Sequence, residues 1–153
     1  FAVTGCEIGI CEEINAPKDV VWDVITNTQY YSLWNPFVVA CESTFEVGAP
    51  IHMQVRVMPS KVRPQTETIF QNIEGELLEY GINAPLGALS SIRQHKLTST
   101  DSGSTKYESV FRLKGWFSPV VGLFLGAQLN RGFNDMTAGI VSRSLEVYAN
   151  KKS

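Results

Sequence analysis

The stretch that most constrains this chain lies near its end, between Ser118 and Ala149. Leu125, Leu129, Phe133, Met136, Ile140, Ser144 and Val147 follow one another at steps of 4, 4, 3, 4, 4 and 3. That spacing keeps them on one stripe of a 3.6-residue helix. Gln128, Arg131, Asp135, Ser142, Arg143 and Glu146 occupy the opposite face and suit water. Ser118 before Pro119 predicts an N-cap followed by proline in the first turn. A helix over this stretch is on the order of 45 Å long at ~1.5 Å per residue, so its apolar stripe needs something wrapped around it. Gly122, Gly126, Gly132 and Gly139 punctuate it, and an interior glycine costs about 1 kcal/mol relative to alanine. Close packing or a bend explains them most simply, and space for a ligand is the sharper alternative.

What precedes the helix reads mostly as strands. Residues 3–14 alternate loosely, with Cys6, Ile8, Ile10 and Ile14 against Glu7, Gly9 and Glu13, and predict a first strand. Asn15-Ala16-Pro17 stops it. A short helix from Pro17 to Thr26 follows, with Val20, Val21, Val24 and Ile25 as its apolar stripe, then another from Thr28 to Leu33 that closes at Trp34-Asn35-Pro36. Phe37, Val39, Cys41 and Phe45 share a face of the next strand. Ile51, Met53, Val55 and Val57 alternate with His52, Gln54, Arg56 and Met58 in a half-buried one. Residues 59–64 read as a turn. Strands over 65–73, 76–83, 90–100 and 106–115 complete the set, the last two joined by a Ser/Gly-rich hairpin turn. Consecutive strands with short connections and segregated helices predict an α+β fold, a bent antiparallel sheet closed around the long helix.

Composition bounds the function. With 153 residues, 44% of them apolar, the chain suits one domain spanning 1–153 with a real core. Thirteen basic residues stand against fifteen acidic ones for a net charge of −2, and no basic stripe marks a nucleic-acid surface. The longest apolar run, Trp116 to Ala127, is broken by Ser118 and Pro119 and falls short of the ~20 residues of a membrane span. Cys6, Cys11 and Cys41 have no metal-ligand spacing, and Cys6 and Cys11, five apart in a strand, point to opposite faces. An odd cysteine count without a framework favours a reducing compartment, hence the cytoplasm; a chain beginning at Phe1 leaves export open. No Gly-x-Ser-x-Gly elbow and no phosphate-loop spacing is present, and nothing in the chain calls for a cofactor.

The element order and several local phrases resemble the START-like, or helix-grip (SRPBCC), superfamily, and within it the polyketide cyclase/dehydrase-type branch. The phrases are Ala16-Pro17 followed by Val20-Val21-Trp22, Tyr31 with Trp34-Asn35-Pro36-Phe37, and Gly103-Ser104-Thr105 before Tyr107 and Phe111, with Gly115 closing that strand. Arg131-Gly132-Phe133 with Met136 is the last. The resemblance implies a helix-grip fold, a sheet of about seven strands gripping the C-terminal helix, with a cavity for a hydrophobic or amphipathic small molecule. It does not by itself imply one reaction, because the superfamily includes carriers, receptors and aromatase/cyclases.

Within that frame the candidate chemistry is small. Arg93, His95 and Leu97 share one strand face. A guanidinium and an imidazole on an apolar wall can fix a carboxylate, phenolate or enolate oxygen, or polarise a carbonyl while histidine moves a proton. Against this, Arg93 can snorkel to the rim and His95 can be a satisfied core residue. Tyr80, flanked by Leu78 and Ile82, points inward and adds a hydroxyl. Glu67 is expected at the surface, since unpaired carboxylates are rarely buried. His52 is expected to point outward, which leaves no ligand set for a metal. Trp34, Phe37, Val55, Phe111, Phe124, Phe133 and Met136 are expected to supply the apolar lining. Three functions follow: a binding protein for a hydrophobic ligand with one polar end, a cyclase, dehydratase or isomerase using the same pocket with Arg93, His95 and Tyr80 as its catalytic candidates, or an interaction module displaying the 116–127 run. The first is preferred.

Overall fold

A computed structural model describes residues 5–152 of the chain. Val3 and Thr4 of the expected first strand lie outside the described residues, as does the side chain of Cys6 and with it the reading of Cys6 against Cys11. The order is β1 (Gly5–Ile14), α1 (Lys18–Thr26), a short α2 (Tyr31–Trp34), six strands and a long helix α3 (Ser118–Lys152). The strands are β2 (Val38–Glu42), β3 (Pro50–Met58), β4 (Lys61–Ile73), β5 (Leu77–Asn83), β6 (Ser90–Ser99) and β7 (Thr105–Lys114). They form one antiparallel sheet ordered β1-β7-β6-β5-β4-β3-β2. The expected α+β helix-grip architecture is what the chain adopts.

α3 is one unbroken helix through Gly122 and Gly126, and its predicted stripe is the buried side: Phe133, Met136, Ile140 and Ser144 are almost fully enclosed. The helix is entered differently from expectation. The Phe117 carbonyl accepts the first helical bonds, from the N–H groups of Val120 and Val121, and the Ser118 hydroxyl donates back to the Gly115 carbonyl at 2.7 Å. Gly115 (φ +109°) makes this corner because an added Cβ would meet the Ala88 carbonyl oxygen at 2.6 Å.

Two local departures matter for the site. Residues 59–64 are not all turn: β4 already begins at Lys61, and Gln54 pairs with Pro64. Pairing of β4 with β5 begins only at Thr68, so the 61–67 half of β4 is an edge on that side. A proline lacking its N–H fits there at no loss of a ladder bond. In β2 the register shifts between Val38 and Ala40, so the alternation Phe37-Val39-Cys41 is broken and Phe37 and Val38 are both buried. Asn35 makes this possible, its Oδ1 accepting from the N–H of Phe37 (3.0 Å) and of Val38 (2.9 Å).

The core fills one end of the grip. Ile14, Val20, Val21, Ile25, Leu97, Tyr107 and Ile140 pack together, where α1 lies against α3 and β6. At the other end, between the first turns of α3 and strands β3 to β7, the same inner face stays open.

Candidate functional site

That open region is a cavity of about 350 Å³. Its apolar floor comes from alternate residues of the sheet, Met53, Val55 and Val57 of β3, Ile82 of β5, Phe111 and Leu113 of β7, because one face of a strand carries every second side chain. Its roof is Val121, Leu125, Leu129 and Phe133, successive turns of α3. Met58, Lys61 and Arg63, around the β3–β4 hairpin, are exposed lining residues and form its rim. One wall is polar: Gln65 and Glu67 from β4, Tyr80 from β5, Ser91 and Arg93 from β6.

Six of the predicted lining residues border this space: Phe37, Val55, Tyr80, Arg93, Phe111 and Phe133. Five do not. Trp34 packs on the outside of the grip against α3, where a Cβ on Gly139 would meet its carbonyl oxygen at 2.6 Å and its ring at 2.9 Å. Phe124 is 69% exposed, since Val121 and Leu125 hold the inward positions of that turn. Met136 and Leu97 face inward but lie beyond the cavity, in the filled end of the core. His95 is fully buried behind Tyr80. His52 is on the outer face, as expected, with Nδ1 3.1 Å from the Thr66 hydroxyl. Gly132 and Gly139 prove to be sites of close packing, not ligand space: a Cβ on Gly132 would stand 2.3 Å from the Phe37 ring.

Glu67 corrects the sequence reading. It was expected at the surface, but it is half-buried on the cavity wall. It shares its strand face with the buried Ile69, and that was the available signal. Phe70, of opposite parity, packs on the outer side, its ring 3.0 Å from where a Cβ on Gly81 would stand. Burial raises the Glu67 carboxyl above the ordinary carboxylate range, against the opposing pull of Gln65 and Arg93.

Arg93 is the electrostatic centre. It is 3% exposed, and among the described residues no carboxylate lies within ion-pair distance of it. Its guanidinium carbon sits 4.7 Å from the centre of the Phe133 ring, a cation–π contact. One terminal nitrogen donates to the Ser109 hydroxyl and, at 3.4 Å, to the Gln94 carbonyl, and the other reaches Met136 Sδ at 3.6 Å. The Nε–H is buried with no partner.

Behind this wall runs a line of hydrogen-bonded side chains. Cross-strand register sets Tyr80 opposite Arg93, His95 opposite Ser109 and Leu97 opposite Tyr107, which brings both tyrosines to the imidazole. Tyr80 Oη is 3.2 Å from His95 Nε2, and Tyr107 Oη is 2.7 Å from Nδ1. Burial, reinforced by the nearby Arg93 charge, lowers the His95 pKa well below its ordinary value and keeps the imidazole neutral. Burial likewise raises Tyr80 and Tyr107, offset in part by Arg93. Sequence reasoning found Tyr80, Arg93 and His95 but missed Tyr107 and Ser109. Both sit on the inward face of β7 with Phe111, four and two residues before it.

The Trp116 to Ala127 segment divides its side chains. Val121 and Leu125 enter the cavity, whereas Trp116, Leu123 and Phe124 are 68%, 81% and 69% exposed. Among the described residues no helix is long and apolar enough to cross a membrane.

Comparison with known proteins agrees with this architecture. A START superfamily protein from Mycobacterium smegmatis superposes with a TM-score of 0.73 at 10% identity, over 92% of this chain and 98% of that one. The Zhui aromatase/cyclase from Streptomyces sp. R1128 superposes at 0.69 with 14% identity, over 97% and 96%. A Staphylococcus aureus protein of unknown function superposes at 0.71 with 13% identity, over 94% and 95%. At such identities these likenesses establish the fold. No sequence among the curated proteins matches this one. The family model described as polyketide cyclase/dehydrase and lipid transport matches residues 11–146. This protein therefore belongs to the polyketide cyclase/dehydrase and lipid transport family.

Proposed function

We propose that this protein binds a hydrophobic or amphipathic small molecule in the cavity between its sheet and α3. The observation that carries the reading is the cavity itself, apolar on floor and roof, with its polar groups gathered on a single wall. An apolar body entering it is stabilised by about 25 cal/mol per Å² removed from water, and the few polar groups fix its orientation. The family's description names both cyclase/dehydrase proteins and lipid transport, and a hydrophobic ligand is common to the two.

The test uses Nile red, a neutral apolar dye. Saturable one-to-one binding with a blue-shifted emission is expected, with at least a tenfold loss in Leu129→Trp, which fills the cavity from the helix side. Absence of saturable binding by the folded protein, or equal binding by a Leu129→Trp variant of unchanged circular dichroism, would overturn the reading.

A second reading, cyclisation, dehydration or isomerisation of a polyketide-like carbonyl compound, is favoured by one observation. Tyr80, Arg93 and Glu67 border the same wall, so a hydroxyl, a cation and a protonatable carboxyl can reach one bound molecule. In this reading Arg93 stabilises an enolate, and His95, which does not border the cavity, acts only through Tyr80. Ligand recovered chemically altered after incubation, by mass spectrometry, separates turnover from carriage.

A further inference from the structure

The polar wall has a direction, set by an obligate donor at its far end. Arginine carries N–H groups and no acceptor. Its bond to Ser109 uses the hydroxyl oxygen as acceptor, and the guanidinium and Ser109 both stand beside the Tyr107 hydroxyl and favour its accepting role. Tyr107, accepting there, gives its own proton to His95 Nδ1. A neutral imidazole accepting at Nδ1 bears its hydrogen on Nε2, and Nε2–H then donates to Tyr80 Oη. The opposite order would turn the Tyr107 proton toward a guanidinium whose N–H groups only donate and a Ser109 oxygen that already accepts from it, and is disfavoured on that ground. Tyr80 has no other hydrogen-bond partner among the described residues, so its O–H is left for the cavity that it lines. Arg93 borders the same cavity and keeps one donor, the buried Nε–H, without a partner.

From these observations we infer that the polar end of the ligand is a carboxylate, received by the Arg93 guanidinium and the Tyr80 hydroxyl, with an apolar body extending under α3. The inference rests on the binding function proposed above. Tyr80 and Arg93 border one space, and a carboxylate supplies lone pairs for the donors of both, whereas a ligand donor group satisfies neither. The charge agrees with the hydrogen bonds. A buried guanidinium without an ion pair is costly; among the described residues no carboxylate lies within ion-pair distance of Arg93, burial shifts Glu67 on the same wall toward its neutral form, and an anionic ligand supplies the counter-charge. A cationic head group would instead meet like charge in a low-dielectric space.

Three ligands with one apolar body distinguish these possibilities: dodecanoate, dodecanol and dodecylamine, titrated calorimetrically at pH 7.5 into the full chain. Dodecanoate is expected to bind at least tenfold more tightly than dodecanol, with dodecylamine weakest. Arg93→Gln is expected to collapse the acid-to-alcohol ratio toward one. Tyr80→Phe, which keeps the ring and its packing, is expected to lower the ratio severalfold and serves where Arg93→Gln does not fold. Equal affinities for acid and alcohol in the parent protein overturn the inference while leaving the cavity reading intact, as does a ratio unmoved by both substitutions. Failure of all three ligands to bind removes the cavity reading and this inference with it.

Discussion

Burial shifts Glu67 and His95 toward their uncharged forms from opposite sides, raising the carboxyl and lowering the imidazole. For Glu67 the folded chain holds its proton more tightly than the unfolded chain, so its contribution to stability is fully present below the ordinary carboxylate pKa and is lost as pH rises above about 4.5. For His95 the unfolded chain takes up the proton first, so stability is lost as pH falls from about 6.5 toward the depressed folded value. The two windows overlap between these values and partly cancel in the parent protein, so single variants are needed to see either. Glu67→Gln is expected to be more stable than the parent at pH 7.5, with the difference closing near pH 4. His95→Gln is expected to lack the parent's loss between pH 7 and 5. Urea denaturation at four or five pH values checks both, and parallel pH curves for parent and variant would contradict the assignment. His95 and Arg93 were visible in the sequence as neighbours on one strand face. Their separation into a buried relay member and a cavity-wall cation was not, because it depends on how far α1 covers that face. Glu67 was legible only through its parity with Ile69, and general carboxylate statistics outweighed that clue.

At the scale of elements, α3 carries two kinds of glycine that look identical in the sequence. Gly132 lies under the Phe37 ring, whereas nothing stands within 4 Å of a Cβ at Gly126. Gly132→Ala must displace a buried aromatic ring that also packs edge-on to Phe133, centroids 5.0 Å apart, and is expected to destabilise by about 1–3 kcal/mol. Gly126→Ala relieves a helix-interior glycine and is expected to stabilise by up to about 1 kcal/mol. Chemical denaturation of the two variants reads the opposite signs directly; the same sign for both would contradict the packing described. The helix itself was plain in the sequence because its stripe persists over seven positions from Leu125 to Val147. The fate of Trp34 was not, since α2 is only four residues long and so short a helix shows no periodicity. The β2 register shift was equally hidden, because a side-chain amide at Asn35 breaks an alternation that the strand residues themselves obey.

For the whole molecule, the proposed binding function links ligand affinity to stability. A ligand that binds only the folded chain stabilises it by RT ln(1 + [L]/Kd), about 2.7 kcal/mol at a hundredfold excess over Kd. Dodecanoate is therefore expected to raise Tm in a concentration-dependent way, and Leu129→Trp to lose that rise; a scanning-calorimetry Tm indifferent to dodecanoate would contradict the site. The architecture was legible at this scale because strand order, short connections and one long amphipathic helix admit few closed arrangements. The cavity was not, because filled core and open space are lined by the same residue types and differ only in where α1 stops. The sheet order has a further consequence for how the protein is made. β1 is synthesised first, but its neighbour is β7: Gly5 pairs with Lys114 and Ile14 with Thr105. At roughly 5–20 residues per second, the first strand waits several seconds on the ribosome for its partner, and the sheet's inner face waits longer still for α3. Throughout that interval the apolar surface that later encloses the cavity is open to chaperones, so the concave face that defines the finished protein is also its nascent chain's main liability to misassociation.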